Sequence, residues 1–201
     1  MNNKAMYKLT YGLFVLTAKD GDKDNGCIIN TAMQVTTNPN RIIITVNKEN
    51  LTHDMVKKTG IFNISILPEG TGFDVFQNFC YQSGRDVDKM EEVTIARSEN
   101  GLVYLPDTAN AYISAKVVTT MDLGTHTMFV ADVTDMEVLK EEPSVTYDFY
   151  QSNIKPKPEK TEKKKGYICK ICGYIYEGDP LPEDFICPIC KHGAADFEKL
   201  S

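Results

Sequence analysis

Four cysteines near the end of this sequence are spaced to hold one metal ion. Cys169 and Cys172, then Cys187 and Cys190, form two C-x-x-C pairs with 14 residues between them. One such turn presents two thiolates to a single ion, and two facing turns complete a tetrahedron. Tetrahedral sulfur suits zinc and iron alike, so spacing leaves the metal open. His192 lies just past the last cysteine and is expected at the surface, since four thiolates already fill the cage. Cys27 and Cys80 have no charged sequence neighbours that would mark a reactive thiolate. They are expected as small buried apolar side chains.

The elements that must position this chemistry divide the chain. The run from Ile154 to Gly166, IKPKPEKTEKKKG, holds six lysines and two prolines and almost nothing apolar. Such a stretch cannot bury enough surface to order itself, and as a coil it spans roughly 20 Å. The predicted organisation is therefore a domain over residues 1–153, a linker over 154–166 and a small domain over 167–201. Upstream, short β-branched runs recur at Phe14–Ala18, Cys27–Val35, Arg41–Asn47, Phe62–Leu67, Ala111–Thr120 and Met128–Leu139. Two segments read as helices: Leu51–Thr59, closed by Gly60, and Gly72–Cys80. Many strands with few helices predict a mainly β fold, an antiparallel barrel whose closure removes exposed edges.

Charge and hydropathy exclude several partners. Residues 1–150 carry −7, the linker region 151–166 carries +4, and residues 167–201 carry −3. An acidic body lacks the basic footprint that nucleic acid requires. No apolar stretch approaches the ~20 residues that span a bilayer, and the first residues show no secretory signal. A cytoplasmic protein is expected, and reduced thiols there favour metal or redox chemistry over disulfides. There is no P-loop and no G-x-G-x-x-G; the segment from Gly70 to Val75 lacks the third glycine.

The flanks of the cysteines are informative. Tyr167 precedes the first pair, Gly173-Tyr174-Ile175-Tyr176 follows it, and Leu181-Pro182-Glu183-Asp184-Phe185 leads into Cys187-Pro188. This resembles rubredoxin, in the short form attached to rubrerythrins. The resemblance implies one iron held by Cys169, Cys172, Cys187 and Cys190, with Tyr167, Tyr174 and Phe185 as the mini-domain core. The shortened middle also resembles a zinc ribbon, so zinc stays open as the alternative.

Four patches, in order, resemble the flavin reductase-like, FMN-binding split-barrel family. They are residues 25–40 (NGCIINTAMQVTTNPN), 44–56 (ITVNKENLTHDMV), 83–90 (SGRDVDKM) and 124–133 (GTHTMFVADV). The resemblance implies FMN near the interface of a homodimer and a nicotinamide hydride donor, NADH or NADPH. Asn30, Thr31 and Gln34 offer amide and hydroxyl groups to ring edges and ribityl oxygens. Asn47, Lys48, Asn50 and Thr52 lie where a strand turns into a helix, and backbone N–H groups there favour a phosphate. In family terms Thr52 and Lys89 fall at FMN contacts, and His126 matches a catalytic histidine near flavin and nicotinamide. Plainer roles are a helix cap at Asn47–Thr52, a surface charge at Lys89, a satisfied strand histidine at His126 and an exposed first-turn histidine at His53.

Taken together the chain resembles the high-molecular-weight rubredoxins, fusions of a flavin reductase with a rubredoxin. That implies electron flow from NAD(P)H through FMN to iron, and on to a flavodiiron protein that reduces oxygen or nitric oxide. Two other readings remain. One is a flavin reductase that releases reduced flavin. The other is a non-enzymatic flavin-binding protein with a zinc-ribbon docking tail.

Overall fold

The first apolar run, FVLTA, lies in β1 (Phe14–Asp20), which turns back antiparallel into β2 (Lys23–Ile29) with Leu16 opposite Cys27. A second hairpin follows, β3 (Ala32–Thr37) and β4 (Asn40–Asn47), then α1 (Leu51–Thr59) and β5 (Ile61–Ile66). Next come α2 (Phe73–Tyr81), a two-residue hairpin of β6 (Ala96–Arg97) and β7 (Val103–Tyr104), and the long strands β8 (Ala111–Asp122) and β9 (His126–Val138). The molecule is described by a computed structural model over residues 2–156, 166–171, 173–188 and 192–200. Cys172, Cys190 and residues 157–165 of the expected linker lie outside the described residues.

Both expected helices form. Gly60 closes α1 in the left-handed region, φ 71°, and its N–H reaches the carbonyl of Val56 at 2.9 Å. Glycine meets no Cβ penalty there. One expectation is corrected: Cys27–Val35 is two strands, broken at Asn30–Thr31. The seven main strands run in the order β2-β1-β5-β8-β9-β4-β3, so the two edge strands are consecutive in sequence. Three Cα steps join Ile29 to Ala32, at most about 11 Å. The edges can meet over that distance only if the sheet rolls into a barrel. The N–H of Thr45 bonds the carbonyl of Thr31 at 3.1 Å at this seam. A continuous apolar run hides the break, although only the β2 half buries its apolar residues, Cys27 and Ile29, while Met33 and Val35 of β3 stay exposed.

Two buried clusters share β1. Leu16, Ile44, Val46, Phe62 and Phe129 fill the barrel, and Met55 and Val56 of α1 join them. Val15 instead packs outward with Phe76 and Phe79 of α2, Val103, Leu105 and Tyr150. Successive side chains point to opposite faces, so a strand covered on both sides is apolar throughout. Each such leucine or phenylalanine contributes about 1.5–3 kcal/mol on burial. Asn63, fully buried, donates to Ser98 Oγ at 2.8 Å and accepts from Asn100 Nδ2 at 2.8 Å, which pins the β6–β7 hairpin to β5.

After a helical segment at Tyr147–Phe149 and a wider turn at Tyr150–Ile154, the chain resumes as a three-stranded sheet. It consists of β10 (Gly166–Cys169), β11 (Ile175–Tyr176) and β12 (Phe197–Leu200), in the order β11-β10-β12. Phe185 is the hub of its aromatic cluster, with ring centroids 4.6 Å from Tyr176, 5.3 Å from Phe197 and 6.4 Å from Tyr174. Tyr167 lies elsewhere, its ring under Lys199 Nζ and its hydroxyl 3.1 Å from Asp179. Among the described residues no helix is long and apolar enough to cross a membrane.

Candidate functional site

A cleft of about 310 Å³ opens between the N-terminus of α1, the C-terminal end of α2 and the loop that follows α2. Asn50, Thr52 and Lys89 all line it, so three of the residues singled out in sequence meet across 39 positions. Asn50 is the N-cap of α1, but its side chain makes no capping hydrogen bond. The first-turn N–H groups of α1 are therefore left without a side-chain cap, and they carry the positive end of the helix dipole.

Lys89 is only 3% exposed, not the solvated surface charge that a lone lysine suggests. Its Nζ donates to the carbonyls of Gly26 and Phe79, both at 3.1 Å. An ammonium group has three donors, so one remains for a ligand. Burial pulls its pKa below the ordinary lysine value, while Cys27 and Cys80 nearby oppose that shift. Asn78 Nδ2 donates to the Lys89 carbonyl at 2.8 Å and fixes the backbone. Gly84 must be glycine for close approach, because a Cβ there would strike the Asn25 side chain. Asn25 in turn donates to Thr52 Oγ1 at 2.8 Å. Thr52 is fully buried.

The other residues named from sequence lie elsewhere on the barrel. Asn47 and His126 stand opposite each other on β4 and β9. Asn47 Oδ1 accepts from the N–H of Glu49 at 3.0 Å, Lys48 pairs with Asp122 at 2.7 Å, and His126 Nδ1 lies 2.8 Å from Thr125 Oγ1. Thr31, beside Asn30 at the barrel seam, donates to the carbonyl of Thr45 at 2.7 Å. Gln34 lines a separate groove of about 290 Å³ with Met33, Ile42, Ile64 and Met136. None of these six lines the first cleft.

Three expectations change. His53 is 3% exposed, because the inner face of α1 packs on β9: its ring meets Phe129 edge-on at 5.8 Å and its Nε2 lies 2.9 Å from Thr127 Oγ1. Cys80 is exposed rather than buried, since the last turn of α2 faces the cleft. Both Cys27 and Cys80 have Lys89 as a charged neighbour, a contact that sequence distance conceals. Burial dominates at Cys27 and pushes its thiol up to about 11; the protein packed around Cys80 shifts it the same way, although part of its surface opens on the cleft. Neither is a thiolate at neutral pH.

A chain of polar contacts missed in sequence joins the loop to the barrel. Arg85 donates to Asp54 at 2.7 Å, and the other oxygen of Asp54 lies 3.1 Å from His53 Nδ1. Arg85 first, then His53, holds the Asp54 carboxyl below the usual aspartate range. A depressed folded pKa contributes stability above the unfolded value of about 3.9, and the contribution is lost as pH falls through the folded value. Arg85→Ala is expected to lower the urea midpoint at pH ~7 and leave it unchanged near pH ~2. The pair is half-exposed, so the difference should stay below about 1 kcal/mol. Equal losses at both pH values would refute the assignment.

Of the four cysteines expected to hold a metal, Cys169 and Cys187 are among the described residues. Cys169 and Cys187 are both buried and share one cluster with Tyr81, Tyr174 and Phe197. The N–H of Gly173 bonds the Cys169 carbonyl at 2.9 Å, and the N–H of Cys187 bonds the His192 carbonyl at 2.8 Å. One cysteine from each C-x-x-C pair thus meets the other in an apolar setting, a soft donor set that fits iron or zinc. Cys172 and Cys190 lie outside the described residues.

The chain matches the flavin reductase like domain over residues 6–156 and the rubrerythrin, rubredoxin-like domain over residues 167–198. It is 38% identical to the high molecular weight rubredoxin of Moorella thermoacetica, with both chains covered in full. It is 36% identical to the ferric-chelate reductase (NAD(P)H) of Archaeoglobus fulgidus, over 80% of this chain and 95% of that one. Among solved structures, the flavin reductase PheA2 is similar at 25% identity and a TM-score of 0.62, over 73% of this chain and 93% of that one. With both segments present in that order, the chain belongs to the high molecular weight rubredoxins, flavin-linked, iron-binding oxidoreductases built from a flavin reductase-like domain and a rubredoxin-like domain.

Proposed function

We propose that the protein takes electrons from NADH or NADPH, passes them through FMN to one iron, and delivers them to an external acceptor such as a flavodiiron oxygen or nitric oxide reductase. FMN converts a hydride into single electrons, and iron held by four thiolates carries one at a time. The observation that carries this reading is the cleft, where a buried ammonium and an uncapped helix N-terminus converge. That pairing suits a phosphate.

In this reading the remaining donor of Lys89 and the backbone of Asn50 and Thr52 hold the phosphate. Asn30, Thr31, Gln34, Asn47 and Lys48 bind the rest of the cofactor, and His126 acts at the nicotinamide. Cys169, Cys172, Cys187 and Cys190 form the iron cage. Residues 1–153 form the flavin domain, a homodimer, 154–166 the linker and 167–201 the iron domain, in the cytoplasm. The A. fulgidus relative, which matches only 80% of this chain, supports a second reading: the flavin domain alone reduces a soluble acceptor.

Metal analysis and a visible spectrum of the fresh protein, before and after anaerobic NADH or NADPH, test the proposal. Near-stoichiometric iron, retained FMN and bleaching of both chromophores are expected. Zinc in the cage, or flavin lost on gel filtration, would refute it.

A further inference from the structure

We propose that the C-terminal turn of α2 is the docking surface for the chain's own metal-binding turns, which seats the cysteine cage at the mouth of the cleft. The inference deepens the electron-relay reading above and rests on it for its function. Three contacts carry it. Tyr81 packs against the buried pair Cys169 and Cys187. Gln77 Nε2 lies 3.5 Å from the carbonyl of Pro188, at the limit of a hydrogen bond. Ile171, between the first two cysteines, and His192, just past the last, line the same cleft as Lys89 and Asn50. The first metal-binding turn and the flank of the second therefore face the cleft, and the side of the cleft they face is α2.

The dock is firm on the α2 side. Tyr81 is held in place from behind, its hydroxyl 3.0 Å from that of Tyr150 and its ring 6.0 Å from Phe73. The chain leaves the first domain on this same side, because Ile154 packs into the cluster that holds Phe76 and Phe79 of α2. Only nine residues then separate Pro156 from Gly166. A short connection that starts beside its own docking surface keeps the partner at high effective concentration, so weak contacts suffice. On that side, among the described residues, the cage domain places Ile171, His192, the Pro188 carbonyl and the buried Cys169 and Cys187.

Hydrogen exchange of the full-length protein tests the dock independently of which metal fills the cage. Ile171 is 42% exposed, so Ile171→Glu places a charge in the contact without a core substitution. Amide exchange across residues 77–84 should rise at least tenfold in Ile171→Glu and in Gln77→Glu, while β4 and β9 stay unchanged. Ile186→Glu puts the same charge beside the other turn, outside the cleft lining, and should leave 77–84 as in the parent. In anaerobic stopped flow the iron phase should slow at least tenfold in Gln77→Glu, which lies outside the cleft lining, with the flavin phase unaltered. Exchange at 77–84 unchanged in both contact variants would overturn the proposal. Raised exchange in a protein whose cage holds zinc would keep the dock and sink the relay.

Discussion

Cys187→Ala is expected to give a yellow protein without iron, whose flavin NADH still reduces at the parental rate. Cys187 is fully buried and meets Cys169 inside a domain of three short strands. About 35 residues cannot bury enough surface to fold alone, so the metal supplies the missing free energy, on the order of 10–16 kcal/mol for structural four-ligand sites. Three ligands forfeit most of it. Amide signals from residues 166–200 should collapse to random-coil positions, metal content should fall to background, and reduction of a one-electron acceptor should drop at least 100-fold. The first domain has its own buried clusters and should keep its melting temperature. Iron retained in the mutant would disprove the ligand assignment. Flavin that NADH no longer reduces would disprove the independence of the two domains.

Lys89→Met should destabilise the flavin domain and loosen FMN together. The Nζ of Lys89 bonds the carbonyl of Phe79 near the end of α2, where helix carbonyls lack intrahelical partners and a cation is favoured. It also bonds the Gly26 carbonyl on β2. Methionine fills similar space but leaves both acceptors buried and under-satisfied, at about 1–3 kcal/mol each. A loss of about 2–6 kcal/mol in chemical denaturation is expected. If the third donor holds the phosphate, the FMN dissociation constant should rise at least tenfold, measured by fluorescence titration of the apoprotein. A stable variant with parental affinity would refute both the bracing role and the phosphate contact of Lys89. Lys89→Arg separates the two effects: it keeps the charge near α2, but its planar fork cannot place three donors as an ammonium does.

Local chemistry was legible without coordinates. The two C-x-x-C pairs, the helix stopped by Gly60 and the continuous apolar run of β1 each rest on near neighbours in the chain. Spacing and periodicity report such features directly. The Asn50 and Thr52 stretch was visible too, because a strand running into a helix start is itself a short-range pattern. What tertiary structure alone decided involves partners distant in sequence. Lys89 became a buried cation only because Gly26 and Phe79 come together around it. His53 became a core residue only because β9 covers the inner face of α1. The break at Asn30–Thr31 followed from barrel closure, which no local preference encodes. Burial and the direction of a pKa shift depend on everything packed around a group, and that surrounding is written across the whole chain rather than beside the residue.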